Sequence, residues 1–170
     1  LIHWPAPAQD RYVAAWKTLV TLREQGLARS IGVSNFEPEH LDRITDATGM
    51  VPAVNQIELH PRFQQRALRA YHEARGIVTQ SWSPLGQGGD LLSTPEVMRV
   101  AEKHGRGAAQ VIIAWHLHHG LAVIPKAADP VHLKDNFEAL DLRLDEEDVA
   151  AIDDLDRADG RIGPDPRMFD

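Results

Sequence analysis

Short apolar, β-branched runs alternate along this chain with stretches in which apolar residues recur at helical spacing. Five runs read as strands, at residues 1–4, 30–34, 53–59, 77–81 and 122–125, each bounded by Gly, Pro or Asn. Between them lie helices with readable ends. The first, over about residues 11–25, carries Tyr12, Trp16, Leu19 and Val20 on one face and stops at Gly26. Residues 38–48 begin at Pro38 and end at Gly49, and residues 64–75 end at Gly76; glycine suits a left-handed cap. Ser93-Thr94-Pro95-Glu96 offers an N-cap serine with a glutamate three residues later, and that helix runs to Gly105. Another is expected from about Gly107 to His118. Asp129-Pro130 opens the next, and the acids at 145–148 open the last, at the positive end of its dipole. From Asp159 onward the chain is rich in Gly, Pro and Asp and predicts a loop on the surface or over a pocket.

Strands separated by helices imply parallel pairing, and the right-handed crossover rule leaves an open doubly wound sheet or a (β/α) barrel. A doubly wound dinucleotide binder usually carries a Gly-rich turn after its first strand, and Pro5-Ala6-Pro7-Ala8 is nothing like one. A complete barrel has eight strands in about 250 residues. Five strand units in 170 residues match its last five. The expected fold class is α/β, a (β/α)8 TIM barrel of which this chain carries the last five βα units. Residues 1–170 are then the C-terminal portion of a single barrel domain, strands four to eight and a tail. Leu1-Ile2-His3-Trp4-Pro5 reads as a strand caught in mid-fold.

Composition changes the picture of partners more than that of the fold. A hydrophobic fraction of 43% is enough for a real core. The formal charge of -7 and a pI near 5.7 disfavour nucleic acid and anionic membrane as partners. The absence of cysteine excludes a disulfide framework and fits a reducing compartment, so the expected location is cytoplasmic. Apolar runs such as residues 110–115 fall far short of the roughly 20 residues that cross a bilayer, and no basic, apolar leader is visible.

In a barrel the active site lies where the strands end, which singles out His3, then Ser34 and Asn35, then Asn55, Gln56 and Glu58, then Trp82 and Ser83, and finally Lys126. The set holds side-chain amides that can bind a carboxamide, an aromatic face for a flat heteroaromatic ring, and a lysine beside a helix N-terminus where phosphate binds. A nicotinamide dinucleotide fits all three.

The motifs Leu1-Ile2-His3-Trp4-Pro5, Ile31-Gly32-Val33-Ser34-Asn35-Phe36, Pro52-Ala53-Val54-Asn55-Gln56-Ile57-Glu58-Leu59-His60-Pro61, Ser81-Trp82-Ser83-Pro84-Leu85-Gly86-Gln87-Gly88 and Ile124-Pro125-Lys126 resemble, in order and spacing, those of the aldo-keto reductases. The resemblance covers essentially the whole chain and is closest to the bacterial branch that includes the 2,5-diketo-gluconate reductases. It implies an oxidoreductase that reduces an aldehyde, ketone or keto sugar acid with NADPH. His3 matches the histidine that orients the carbonyl and assists a tyrosine acting as general acid. Ser34, Asn35 and Gln56 match the residues that hold the nicotinamide amide, and Trp82 matches the aromatic residue stacked on its ring. Ser83, Leu85 and Gln87 match the loop over the pyrophosphate. Lys126 matches the partner of the 2'-phosphate, and Asp135 and Asn136 match positions at the adenine end. Trp4 is a candidate wall of the substrate pocket.

Two departures bear on function. After the lysine the family commonly has a serine, and six positions on an arginine; here Ala127 and His132 stand there, so phosphate donors are lost and NADH use is expected beside NADPH. The family's catalytic tyrosine, its lysine and its aspartate lie upstream of the motif on which this sequence opens, and Tyr12 and Tyr71 fall inside amphipathic helices. The 170 residues alone are therefore expected to be inactive. The alternative is a non-catalytic cofactor-binding or regulatory subunit on the same scaffold. His116, His118 and His119 suggest a metal site at first sight, but a helix C-terminus favours histidine, and no metal is expected. Trp16 and Trp115 read as core, and the acids at 145–148 as a helix start. The partner is a small carbonyl compound and the expected state a monomer.

Overall fold

The computed structural model describes residues 1–170. Its strands are β1 (Val33–Ser34), β2 (Val54–Glu58), β3 (Val78–Trp82) and β4 (Ala122–Val123). Its helices are α1 (Tyr12–Glu24), α2 (Pro38–Thr48), α3 (Arg66–Ala74), α4 (Pro95–His104), α5 (Ala108–His118), α6 (Pro130–Glu138) and α7 (Glu146–Asp153). The strands follow one another in the order β1-β2-β3-β4. Val33 pairs with Asn55 and Ser34 with Gln56 in parallel register, and Ile2 joins Val33 through a parallel bridge. Strand and helix alternate as in the C-terminal units of a (β/α)8 fold, so the expected α/β class is observed. No helix is long and apolar enough to cross a membrane.

The chain divides into two compact units: residues 1–57, 65–80 and 163–170 form one, and residues 58–64 and 81–162 the other. In the first, Trp16 is fully buried, and its indole Nε1 donates to Thr48 Oγ1 at 3.1 Å, which joins α1 to the end of α2. Phe36, Leu41 and Ile44 are fully buried beside it in the core. Gly32 carries the tightest backbone approach of this unit, because a Cβ there would lie 2.5 Å from Val54 Cγ1 and 2.6 Å from the Val54 oxygen. In the second unit, Leu91, Val97 and Ile112 form a core cluster with Leu85, Leu92, Ala108 and Leu155 against it. Trp115 is buried with its Nε1 donating to Asp153 Oδ1 at 2.8 Å, and His119 Nε2 meets the same carboxylate at 2.9 Å.

The glycine stops stand where the pattern placed them: Gly49, Gly76 and Gly105 have φ between 60° and 68°. Two starts differ. Ser93 does not cap α4: its Oγ donates to the Asp90 oxygen inside a 3-10 turn at Asp90–Ser93, and Thr94 takes the N-cap position without a side-chain cap bond. The helix expected from residue 64 begins at Arg66, because the Gln64 N–H donates to Asp156 Oδ1 at 3.0 Å and Gln65 turns left-handed at φ 47°. Asp145 caps α7 as expected, accepting from Asp148 N.

A buried relay fixes the end of β1. The Asn55 amide donates to the Phe36 oxygen at 2.7 Å and accepts from the Phe36 N–H at 3.3 Å, which orients the amide unambiguously. Asn55 Nδ2 also meets His72 Nε2 at 3.0 Å, so that ring nitrogen accepts and Nδ1–H donates to Thr79 Oγ1 at 2.8 Å. Burial pushes the His72 imidazolium down from 6.5 to about 4. Because the unfolded chain takes up a proton that the native ring refuses, stability is independent of this group above pH 6.5 and falls as pH drops towards 4. The accumulated loss is about 3 kcal/mol. Urea midpoints measured across this range should show that slope in the parent and lose it in His72→Gln; an equal slope in both would exclude His72 as its source.

Candidate active site

In the first unit, the end of β1 displays Ser34 and Asn35. Both are buried, and Asn35 adopts a left-handed backbone at φ 62°, a costly conformation for a residue with a side chain. It is retained because Asn35 N donates to the Gln56 oxygen at 2.9 Å and Asn35 Nδ2 to the His3 oxygen at 3.0 Å. Ser34 Oγ donates to the same Gln56 oxygen at 2.8 Å, and Gln56 Nε2 donates to Gln80 Oε1 at 2.7 Å. The structure thus brings His3, Ser34, Asn35 and Gln56 into one hydrogen-bonded row across neighbouring strands. The His3 ring is exposed, 6.0 Å from that of Trp4.

In the second unit, β3 ends at Trp82, and a chain of left-handed residues follows: Ser83 at φ 50°, Gly86 at 72°, Gln87 at 53° and Gly88 at 75°. Gln87 Nε2 donates to Ser83 Oγ at 2.8 Å and closes this turn on itself. The turn walls a cleft of about 560 Å³ whose lining includes Ser83, Leu85 and Gln87 on one side and Ile124, Pro125 and Lys126 on the other. Four residues expected at a cofactor site are therefore gathered around one cavity.

His132, Asp135 and Asn136 stand on α6 and do not line this cleft. His132 is exposed, while Asp135 and Asn136 are half-buried; the Asp135 oxygen accepts from Gln110 Nε2 at 3.0 Å. Tyr12 opens α1 with its ring edge on Phe36, and its hydroxyl accepts from Arg43. Tyr71 on α3 donates to Asp42; burial and that bond push its hydroxyl up to about 12. The fully buried His116 ring meets the Ile112 and Leu59 oxygens at 2.8 and 3.2 Å, so its nitrogens are engaged with backbone.

Several participants carried no signal in the strand-end pattern. Phe169 packs on Trp4 with ring centroids 4.4 Å apart. Arg167 holds that end of the tail, pairing with Glu37 at 3.1 Å and Glu39 at 2.7 Å at the start of α2. Glu37 caps α2: its oxygen accepts from the His40 N–H at 3.0 Å while Glu37 N donates to His40 Nδ1 at 3.1 Å, and burial lowers the His40 imidazolium pKa, in keeping with an accepting nitrogen. In the second unit, the buried Glu58 accepts from Ile162 N at 2.5 Å and meets His60 Nε2 at 3.2 Å. The Gly-, Pro- and Asp-rich composition marked the tail as a loop; it did not mark these anchors.

A model of the Aldo/keto reductase family matches residues 1–157. The chain is 52% identical to a methylglyoxal reductase DkgA of Yersinia pestis, over 99% of this chain and 61% of that protein. It is 49% identical to a methylglyoxal reductase DkgA of Escherichia coli, over 99% of this chain and 62% of that one. Among solved structures it is similar to Gox0644 in its apo form, with a TM-score of 0.95 and 57% identity over 97% of this chain and 60% of that one. It is also similar to a Gox0644 mutant in complex with NADPH, with a TM-score of 0.97 and 56% identity over 99% of this chain and 62% of that one. The chain spans about three fifths of the length of these relatives.

The anchoring of the tail yields a direct expectation. In Arg167→Gln both ion pairs disappear, and amide-exchange protection across Gly163–Asp170 should collapse while overall stability changes by less than ~1 kcal/mol, as partly exposed pairs contribute little. Protection equal to the parent would show that the tail is held by other contacts.

Proposed function

Because the chain belongs to the aldo/keto reductase family, we propose that its protein reduces an aldehyde, ketone or keto sugar acid to the alcohol with NADPH, and with NADH to an appreciable extent. The observation that carries this reading is the cleft of about 560 Å³ gathering Ser83, Leu85, Gln87 and Lys126. Its lining suits a dinucleotide: a turn rich in left-handed residues lets backbone approach a pyrophosphate, and an ammonium stands beside it for a phosphate. The likeness to a Gox0644 mutant in complex with NADPH supports the same cofactor.

In this reading Ser34, Asn35 and Gln56 hold the carboxamide of the nicotinamide and Trp82 offers its indole face to the ring. Ser83, Leu85 and Gln87 cover the pyrophosphate. Lys126 neutralises the 2'-phosphate, with His132, Asp135 and Asn136 on α6 towards the adenine end. When bound, the reduced nicotinamide supplies a hydride to the carbonyl carbon. His3 orients the carbonyl oxygen that receives the proton, and Trp4 with Phe169 forms an apolar wall beside it. Tyr12 and Tyr71 do not supply that proton, since the first is enclosed by the α1 packing and the second has a hydroxyl pushed up to about 12. Residues 1–170 form the C-terminal portion of one barrel domain, which binds and orients, and the proton donor comes from the remainder of the protein. A cytoplasmic location and a monomeric state complete the reading.

Four outcomes are expected. Residues 1–170 alone bind NADPH, seen by quenching of tryptophan fluorescence, yet do not turn over methylglyoxal, the substrate suggested by the relatives' names; turnover by this segment would place a proton donor within it. In the complete protein, Tyr12→Phe and Tyr71→Phe retain kcat. Lys126→Ala raises the KM for NADPH at least tenfold with little change for NADH. His132→Arg shifts preference towards NADPH, and a parent preference already above a hundredfold would contradict dual use. Cofactor binding without any turnover by the complete protein would favour a regulatory subunit on the same scaffold.

A further inference from the structure

The turn that walls the cofactor cleft has a second face. Gln87 also lines a separate cavity of about 360 Å³, together with His60, Arg62, Asp90, Arg157 and Ile162. Apart from Gln87, none of these residues enters the reading above.

The cavity is built around two guanidinium groups. Arg62 is largely buried, its side chain 18% exposed, whereas that of Arg157 is 53% exposed. The segments that carry them are locked to each other: Arg157 N donates to the Arg62 oxygen at 3.3 Å, and Gly160 lies so close that a Cβ would sit 1.7 Å from that oxygen. Only glycine permits this approach. The two cations are thus presented by backbone that is already ordered, which lowers the cost of capturing a ligand.

The third group is His60, which is 2% exposed. Its Nε2 meets Glu58 Oε1, but its buried Nδ1 has no hydrogen-bond partner. A buried polar atom without a partner is costly and rare. With Nε2–H given to Glu58, the unpartnered Nδ1 is an acceptor that can take the O–H of a partly protonated oxyanion such as hydrogenphosphate.

The chain itself shows what the Arg62 fork accepts. Both Asp90 oxygens meet it, Nη1 with Oδ1 and Nη2 with Oδ2 at 3.0 Å, in the two-pronged geometry that carboxylates and phosphates share. Asp90 is 76% exposed and begins a short 3-10 turn directly after the glycine-rich segment. Such an exposed carboxylate is readily displaced.

We propose that this cavity binds a small oxyanion, a phosphate or a carboxylate, which takes the place of Asp90 on Arg62 and is completed by Arg157 and His60. Asp90 and Gln87 belong to one short segment, so displacement of Asp90 unpins the turn that covers the cofactor cleft. Anion and cofactor then weaken each other's binding, and by linkage the two effects are equal. This second part rests on the cofactor reading; the anion site does not.

Calorimetric titration of the complete, cofactor-free protein with sodium phosphate and with succinate, at ionic strength held constant with chloride, separates the two. Saturable binding is expected for at least one anion, and the tighter of the two identifies the preferred source of the oxyanion. Arg62→Gln and Arg157→Gln should weaken it at least tenfold, and Arg62→Lys should weaken it less. Asp90→Asn, which removes the internal competitor, should tighten it severalfold, a gain that misfolding cannot produce. No saturable binding, equal affinity in the arginine variants, or weaker binding in Asp90→Asn would overturn the site. In stopped flow, the bound anion should speed NADPH release severalfold; an unchanged rate would remove the coupling and leave the anion site standing, while absence of NADPH binding would fall on the cofactor reading alone.

Discussion

Asn55 makes two hydrogen bonds to the backbone of Phe36, one through each end of its amide, and the residues displayed after β1 keep their places because of them. The amide is fully buried, so nothing but protein can satisfy it, and it answers the Phe36 N–H and C=O just as the Gln56 oxygen answers the N–H of Asn35 before it. The same side chain meets His72, and His72 meets Thr79. A single relay therefore ties the turn, α3 and the start of β3 within one unit. Ser34 and Asn35 are held beside it, because Val33 stands opposite Asn55 in the register and Ser34 opposite Gln56, whose oxygen accepts from both Ser34 Oγ and Asn35 N.

That rigidity is put to use where the backbone is least comfortable. Asn35, Ser83 and Gln87 carry side chains yet sit at positive φ, and each is among the residues proposed to meet the cofactor. Conformations of this kind persist only when neighbouring hydrogen bonds over-determine them, and they concentrate at binding sites. Asn35 is held by Gln56 and His3; Ser83 and Gln87 are held by each other. The first arrangement is a strand-end lattice, whereas the second is a self-closed turn with Asp90 as its tether. The left-handed residues thus rest on bonds between strand ends in one unit and on a bond within a single turn in the other.

Much of this was legible along the chain, and the reasons differ from feature to feature. Gly49, Gly76 and Gly105 announced helix ends because a left-handed cap is a local demand that glycine meets alone. The strand ends at Ser34 and Trp82 were legible because apolar runs stop there, whereas the run expected to reach residue 125 pairs only over Ala122–Val123. Ser93 was misread: it has the composition of a cap, but the Asp90 oxygen claims its hydroxyl and Thr94 takes the position. Gln64 was misread for the same kind of reason, since Asp156, far along the chain, takes the N–H that would have begun the helix.

Periodicity, punctuation and the order of five motifs were enough to determine the α/β alternation and the family. Both are written in spacings of a few residues, over which chain geometry is nearly fixed. Tertiary structure alone decided that Phe169 covers Trp4, that Arg167 finds Glu37 and Glu39, that Ile162 reaches Glu58, and that Arg62 and Arg157 share a cavity. A charge or a ring states in the sequence that it needs a partner, but the choice among many distant candidates is made by packing, which brings together segments that no local rule relates.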